Sequence, residues 1–330
     1  MPSLPRSTRR RSRRRSPATL GVIGGVVLLL MFLACVATIP LTFSTITGPG
    51  GETRRFEATN ADEALLPPTW ATRETDHAAG DRETSFHMMG TDRLGRDVMI
   101  RVLAGGGISL GIGLIAAAIA VSIGTGWGAV AAFCGGRVDA VMMRVVDVLF
   151  GLPSILLVVL IAVAVNGILE RSGQDLAPIW RQVINVCTLW LAIGMVSWLT
   201  VARVIRGQVL SLTAQPFMEA CRVMGMGPWR QFRRHLFPNI LGPIIVYATL
   251  TVPMAILSEA FLSFLGIGVQ EPLPSWGNLA ADGLGQLNLV RSRWWLLLWP
   301  CLFIALTLVS LNCVGEWLRD RLDPVSKVVR

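Results

Sequence analysis

Apolar residues along this chain gather into runs of membrane-spanning length, and polar segments of unequal size separate them. A bilayer-spanning helix needs about 20 mostly apolar residues. The run Ala18 to Phe43 meets that length and predicts a first span at 18–43. Phe32-Leu33-Ala34-Cys35 resembles a lipoprotein cleavage box, but more apolar sequence follows it, so an uncleaved helix is expected. A second helix is expected over 99–133, spanning from 108. It carries Gly107-x-x-x-Gly111 and Gly124-x-x-x-Gly128, spacings that let helices approach closely. Further helices are expected over 143–166, with a kink at Pro153, then over 183–204, 240–262 and 294–314. The pattern predicts an all-α integral membrane protein with six transmembrane helices.

Charge sets the expected orientation. Residues 1–17 hold seven arginines, which fits a cytoplasmic tail touching anionic lipid headgroups. The segment 205–238 is also rich in arginine, and with Arg203 just before it holds only one acidic residue, Glu219. Arginine excess marks the cytoplasmic side. Both termini and this loop are therefore expected inside, with 315–330 as a cytoplasmic tail. Residues 44–97, ten acidic groups against six arginines, form an extracytoplasmic polar loop that is expected to be largely irregular. Residues 98–314 form the core.

Composition narrows the chemistry. Apolar residues make up 52% and charged residues 15% of the chain, against about 25% charged in soluble domains. The net charge of +9 follows the sides of the membrane, so nucleic acid is not an expected partner. The sole lysine is Lys327, which excludes a Walker A loop. Gly111-Ile112-Gly113-Leu114-Ile115-Ala116 mimics a dinucleotide fingerprint without its strand or acidic residue. Six cysteines sit mostly in apolar runs, and three histidines are scattered, so neither a disulfide framework nor a metal site is assigned. No cofactor is expected in this chain.

The polar island after the fourth span is the most informative segment. Phe217, Ala220, Cys221 and Met224 fall at i, i+3, i+4 and i+7 and form one apolar helical face. Gly225 is placed to end that helix and Pro228 to start another. A short helix tethered to the membrane at both ends has little core of its own, so a partner is expected to cover this face. An ordinary interfacial helix is the other reading.

Two further motifs stand out. Gly90-Thr91-Asp92-Arg93-Leu94-Gly95-Arg96-Asp97 precedes the second helix. Its residues suit a turn, with Asp97 as helix cap, and a direct functional role is the alternative. Ser258-Glu259-Ala260-Phe261-Leu262-Ser263-Phe264-Leu265-Gly266 ends the fifth helix and runs on through Pro272, Pro274, Ser275, Trp276 and Gly277. An ionisable group at membrane depth is costly, so Glu259, beside Ser258, is expected either on a pathway or gate or as a structural partner.

Glu219-Ala220, Gly225 and Pro238 follow the spacing of the EAA loop of ABC importer permeases, with Cys221 in place of the second Ala. The string at 90–97 is similar to the GTDxxGRD segment of the dipeptide, oligopeptide and nickel branch. So is the string at 258–277, and so is the Leu318-Arg319-Asp320-Arg321-Leu322-Asp323-Pro324 tail. The resemblance covers roughly 85–324 and points to the C-type subunit. It implies a type I permease fold in a bacterial inner membrane and a heterodimer with a B-type permease. It also implies two ATPase subunits gripping the loop at 217–225, and an extracytoplasmic solute-binding protein. Dipeptides, oligopeptides and nickel complexes are the solutes it implies. Competing readings are a sensor or scaffold using the outer loop, and an ion-driven secondary carrier, against which a single buried carboxylate argues. An intramembrane serine protease is disfavoured because no histidine lies in an apolar run.

Overall fold

The computed structural model describes residues 17–48, 51–71, 86–171, 177–287 and 292–322. The basic tail at 1–16 and the last residues of the C-terminal motif, Asp323 and Pro324, lie outside the described residues. Helix α1 covers Pro17–Thr42, α2 Val98–Cys134, α3 Gly136–Phe150, α4 Ser154–Arg171 and α5 Pro178–Thr213. Helix α6 covers Pro216–Val223, α7 Pro228–Gln231, α8 Phe237–Phe264, α9 Trp276–Gly285 and α10 Trp295–Leu322. A single π-helical turn, Phe232–Leu236, joins α7 to α8, so one helical run extends over Pro228–Phe264. Five helical runs are long and apolar enough to cross a membrane, and α3 with α4 makes a sixth if counted together.

That sixth span corrects the expected kink at Pro153. The chain turns through 85° between α3 and α4, so these are two helices and not one bent one. Pro153 lacks a backbone N–H and disfavours helical geometry at Leu152. Helix α3 is shut off there by a bond from Leu152 N to Leu149 O. It begins at Gly136, earlier than expected, and carries Arg137, Asp139, Arg144 and Asp147 among its valines.

Close packing follows one of the two predicted small-residue spacings. A Cβ on Gly124 or Gly128 would overlap Val201 or the Ala202 carbonyl of α5. Gly107 and Gly111 behave differently: among the described residues nothing outside their own helix lies within 4 Å of a Cβ at either. Helix α1 packs on α10, where Gly21 sits against Trp317 and Gly24 against Ser310.

Part of the outer loop is ordered, against expectation. Strands β1 (Thr45–Gly48) and β2 (Gly51–Arg54) form an antiparallel hairpin with Thr45 opposite Arg54. Phe56 is buried edge-on against Phe43, with ring centroids 5.0 Å apart. Two single turns of helix, Ala61–Glu63 and Thr69–Ala71, lead toward the start of α2.

Candidate functional site

Helix α5 has 36 residues, about 54 Å at 1.5 Å per residue, against a hydrocarbon core of about 30 Å. Its overhang carries the polar island away from the apolar zone. Pro216 opens α6 at its first turn, where a missing N–H costs nothing. At the other end Met226 N bonds Cys221 O and Gly225 N bonds Arg222 O, both at 3.0 Å. This is a Schellman ending, and it needs the positive φ of Gly225, +70°. Gln231 is buried and donates from Nε2 to Met226 O at 2.6 Å, closing the turn that follows.

The expected free apolar face is half occupied by the chain itself. Met218, which the periodicity did not select, is buried with Val209 of α5, Leu236 of the π turn and Ile240 of α8. Phe217 packs on the same cluster, and Cys221 is buried beside it. The reason is that the overhanging ends of α5 and α8 bring a small core with them. Facing outward are Glu219, Ala220, Val223 at 88% exposure and Met224 at 70%. Pro238 lies exposed in the first turn of α8.

Sequence reasoning used Arg203 and Arg206 only as orientation signals and missed their partners. Arg206 grips Asp139 through two bonds, and Arg203 donates to Asp147 at 2.7 Å while lying 4.0 Å over the Phe150 ring. Both pairs tie α3 to α5. The i, i+8 spacing of Asp139 and Asp147 in a valine-rich helix was the available signal.

The helix-entry motif is a buried network. Asp97 caps α2 by accepting from Ile100 N at 3.1 Å, as its position predicted. Its Oδ2 also lies 2.8 Å from His87 Nδ1, and His87 Nε2 lies 3.2 Å from Glu63. Thr91 is buried, accepts from Leu66 N at 2.8 Å and donates to Glu63 O. Gly90 and Gly95 hold positive φ of 80° and 72°, and a Cβ at either would overlap the outer-loop backbone. Asp92 accepts from the amides of Leu94 and Arg96, from Arg96 Nε at 2.7 Å and from Arg101 Nη1 at 2.6 Å. Burial pushes the Asp92 carboxyl up, but Arg96 and Arg101 outweigh it and hold it below the usual range. The motif therefore ties outer loop, α2 and the Glu271 region together, with Glu271 3.4 Å from Arg96.

Glu259 is fully buried. Its Oε2 accepts from Ser109 of α2 at 2.9 Å and its Oε1 from Ser263 at 2.7 Å. Ser109 in turn accepts from Trp276 N, and Ser275 donates to Ser263. Glu259 thus joins α2, α8 and the start of α9. Ser258, one position earlier, faces the other way. It lines an open cleft walled by α4, α5 and α8, with Ser154, Ser197, Thr200, Tyr247 and Thr251. No charged side chain of the described residues lines this cleft.

Among the described residues, no three of His, Cys, Asp and Glu are grouped to hold a metal ion. The described residues thus hold an open cleft among membrane-length helices, with the short helix α6 beyond one end of α5. The family model for the binding-protein-dependent transport system inner membrane component matches residues 124–327, and the chain belongs to that family. It is a multi-pass inner-membrane permease of an ABC importer, a subunit without catalytic chemistry of its own. Similar proteins include the oligopeptide transport system permease protein OppC of Haemophilus influenzae, 42% identical over 239 residues, 72% of this chain and 70% of the relative. The dipeptide transport system permease protein DppC of Bacillus subtilis is 42% identical over 238 residues, 72% of this chain and 68% of the relative. OppC of Escherichia coli is 42% identical over 247 residues, 75% of each chain. The likeness is to C-type subunits throughout.

Proposed function

We propose that this permease forms half of a translocation pathway for dipeptides or oligopeptides, with a B-type permease as the other half. Two ATPase subunits dock on the outward face of α6, and an extracytoplasmic binding protein delivers the solute at the opposite end. The island end of the bundle is cytoplasmic, as its arginines require. ATP is held by the ATPases, and this chain contributes no cofactor.

One observation carries the coupling. The inward face of α6 shares its buried cluster with α5 and α8, and those helices are two walls of the cleft. A displacement imposed on Glu219, Ala220, Val223 and Met224 reaches the cleft through Met218, Val209 and Ile240. The ion pairs at Arg203 and Arg206 pass it to α3, and through the 85° corner to α4. ATP shifts the equilibrium because it favours one arrangement of the docked pair over the other. A mostly apolar wall with scattered hydroxyls and no charge suits a solute whose side chains vary while its backbone amides do not.

The test is the reconstituted importer, with binding protein and ATPases, in proteoliposomes supplied with labelled di- and tripeptides. ATP-dependent uptake is expected in the native complex. Met218→Asp is expected to assemble and hydrolyse ATP while uptake falls about tenfold or more, since a charge then breaks the α6 core. Full uptake by an assembled Met218→Asp complex refutes the coupling route. Absence of peptide uptake by the native complex refutes the substrate class.

A further inference from the structure

On the island side, before the exposed apolar stripe of α8, lies a patch to which the coupling route above assigns no role. Arg230, Arg233 and Arg234 line a shallow open groove together with Trp229, which is 71% exposed. None of the three arginines forms an ion pair among the described residues. Three guanidinium groups at i, i+3 and i+4 share one helical face, and nothing among the described residues neutralises them.

We propose that this groove binds the phosphate headgroup of an anionic phospholipid of the cytoplasmic leaflet. The proposal rests on the orientation given above, with the island end cytoplasmic. Two observations favour lipid over protein as the occupant. First, an aromatic ladder runs unbroken from the patch to the exposed apolar stripe of α8. Trp229 stacks on Phe232 at 5.9 Å, and Phe232 meets Phe237 at 6.2 Å. Phe237 then continues as exposed Leu241 and Ile245, one helical face at i, i+4 and i+8. The π turn makes this ladder possible: its extra residue places Phe237 over Phe232, to whose carbonyl Phe237 N is bonded. Second, the spacing fits. Trp229 lies about 12 Å of helix below Phe237. The headgroup layer is about 6 Å thick, and arginine side chains reach back toward it along their own stems. Basic residues that reach this layer gain from an anionic surface.

The bound headgroup sits one turn from the Schellman ending of α6. It anchors the segment against which α6 moves.

The test uses the complete importer, purified with its partners and placed in bilayer discs of phosphatidylcholine with phosphatidylglycerol. Lipids retained after stepwise detergent washing are counted by native mass spectrometry. The native complex is expected to keep phosphatidylglycerol. The triple variant Arg230→Gln, Arg233→Gln, Arg234→Gln is expected to retain about tenfold less or lower, with subunit composition unchanged. The triple Arg→Lys variant keeps the charge and is expected to retain lipid. Equal retention by the Gln variant overturns the proposal. Loss of the ATPase subunits from the Gln variant, with its lipid intact, also overturns it and assigns the arginines to the ATPase.

Discussion

Arg206 and Asp139 meet in a two-pronged ion pair, with Nε to Oδ1 and Nη2 to Oδ2 each 2.6 Å. The parallel geometry is one that lysine cannot reproduce. It clamps α3 on the overhang of α5. Arg206 is about one-third exposed, so solvent screening limits the pair's worth to about 1 kcal/mol. A double-mutant cycle with Arg206→Ala and Asp139→Ala, read by thermal unfolding of the purified permease, is expected to give a coupling energy of that order. Arg206→Lys is expected to behave like the broken pair, and additive single variants would remove the clamp.

Asp92 and Asp282 predict opposite responses. Asp92 is held below the usual carboxylate range in the folded protein. It therefore stabilises fully above its unfolded value of about 3.9, and that contribution is lost as pH falls through the folded value. Protection of the Leu94 and Arg96 amides, which Asp92 accepts, relative to their intrinsic exchange should hold from pH 7 down through the ordinary carboxylate range and be lost only as pH falls through the lowered folded value. Asp92→Asn leaves Arg101 and Arg96 buried without their carboxylate and is expected to cost about 3–5 kcal/mol. Asp282 is pushed up by burial, which the nearby Arg101, Arg93 and Arg96 only partly oppose. Folding disfavours its ionised form, so its effect improves as pH falls. Asp282→Asn is expected to leave stability unchanged or raise it at neutral pH.

The glycines of α2 divide into two sets. Gly128→Ala forces a methyl into the Ala202 carbonyl, and is expected to destabilise the permease by about 1–3 kcal/mol. Gly107→Ala and Gly111→Ala meet no atom outside their own helix within 4 Å among the described residues and should leave the isolated permease as stable as before. If the B-type permease packs there, the same two changes reduce co-purification of that subunit.

Glu259 accepts hydrogen bonds from two serines in a fully buried site. Glu259→Gln preserves the shape and an acceptor, and is expected to insert, assemble and transport near the native level. Glu259→Ala strands Ser109 and Ser263 and opens a cavity, costing about 2–4 kcal/mol. A loss of transport in the Gln variant at normal protein levels would place Glu259 on the pathway.

Spans, the short helix α6 and its glycine stop are legible in the sequence because each rests on local chemistry: run length, 3.6-residue period, and the backbone freedom of Gly225. What is not legible depends on contacts distant in sequence. Periodicity gives the face of α6 from its own residues, and only the overhangs of α5 and α8 decide that Met218 and Cys221 turn inward. The same holds for Arg206, whose partner is 67 residues away. Hydropathy runs straight through Pro153 and predicts only a kink, whereas the chain turns 85° there and ion pairs distant in sequence hold α3 on α5. Asp97 is readable as a cap because a cap is local.

Docking of α6 is tested most directly at Val223, which is 88% exposed, while Cys221 two residues earlier is buried. A Val223→Cys variant is treated with a membrane-impermeant maleimide and, in parallel, with a bifunctional thiol crosslinker in whole importer complexes. The account predicts that the thiol introduced at position 223 reacts only from the cytoplasmic side, is shielded when the ATPases are present and crosslinks to one of them, while Cys221 stays unreactive. Labelling of position 223 from the outer face, or cytoplasmic labelling that the ATPases do not reduce, would contradict it.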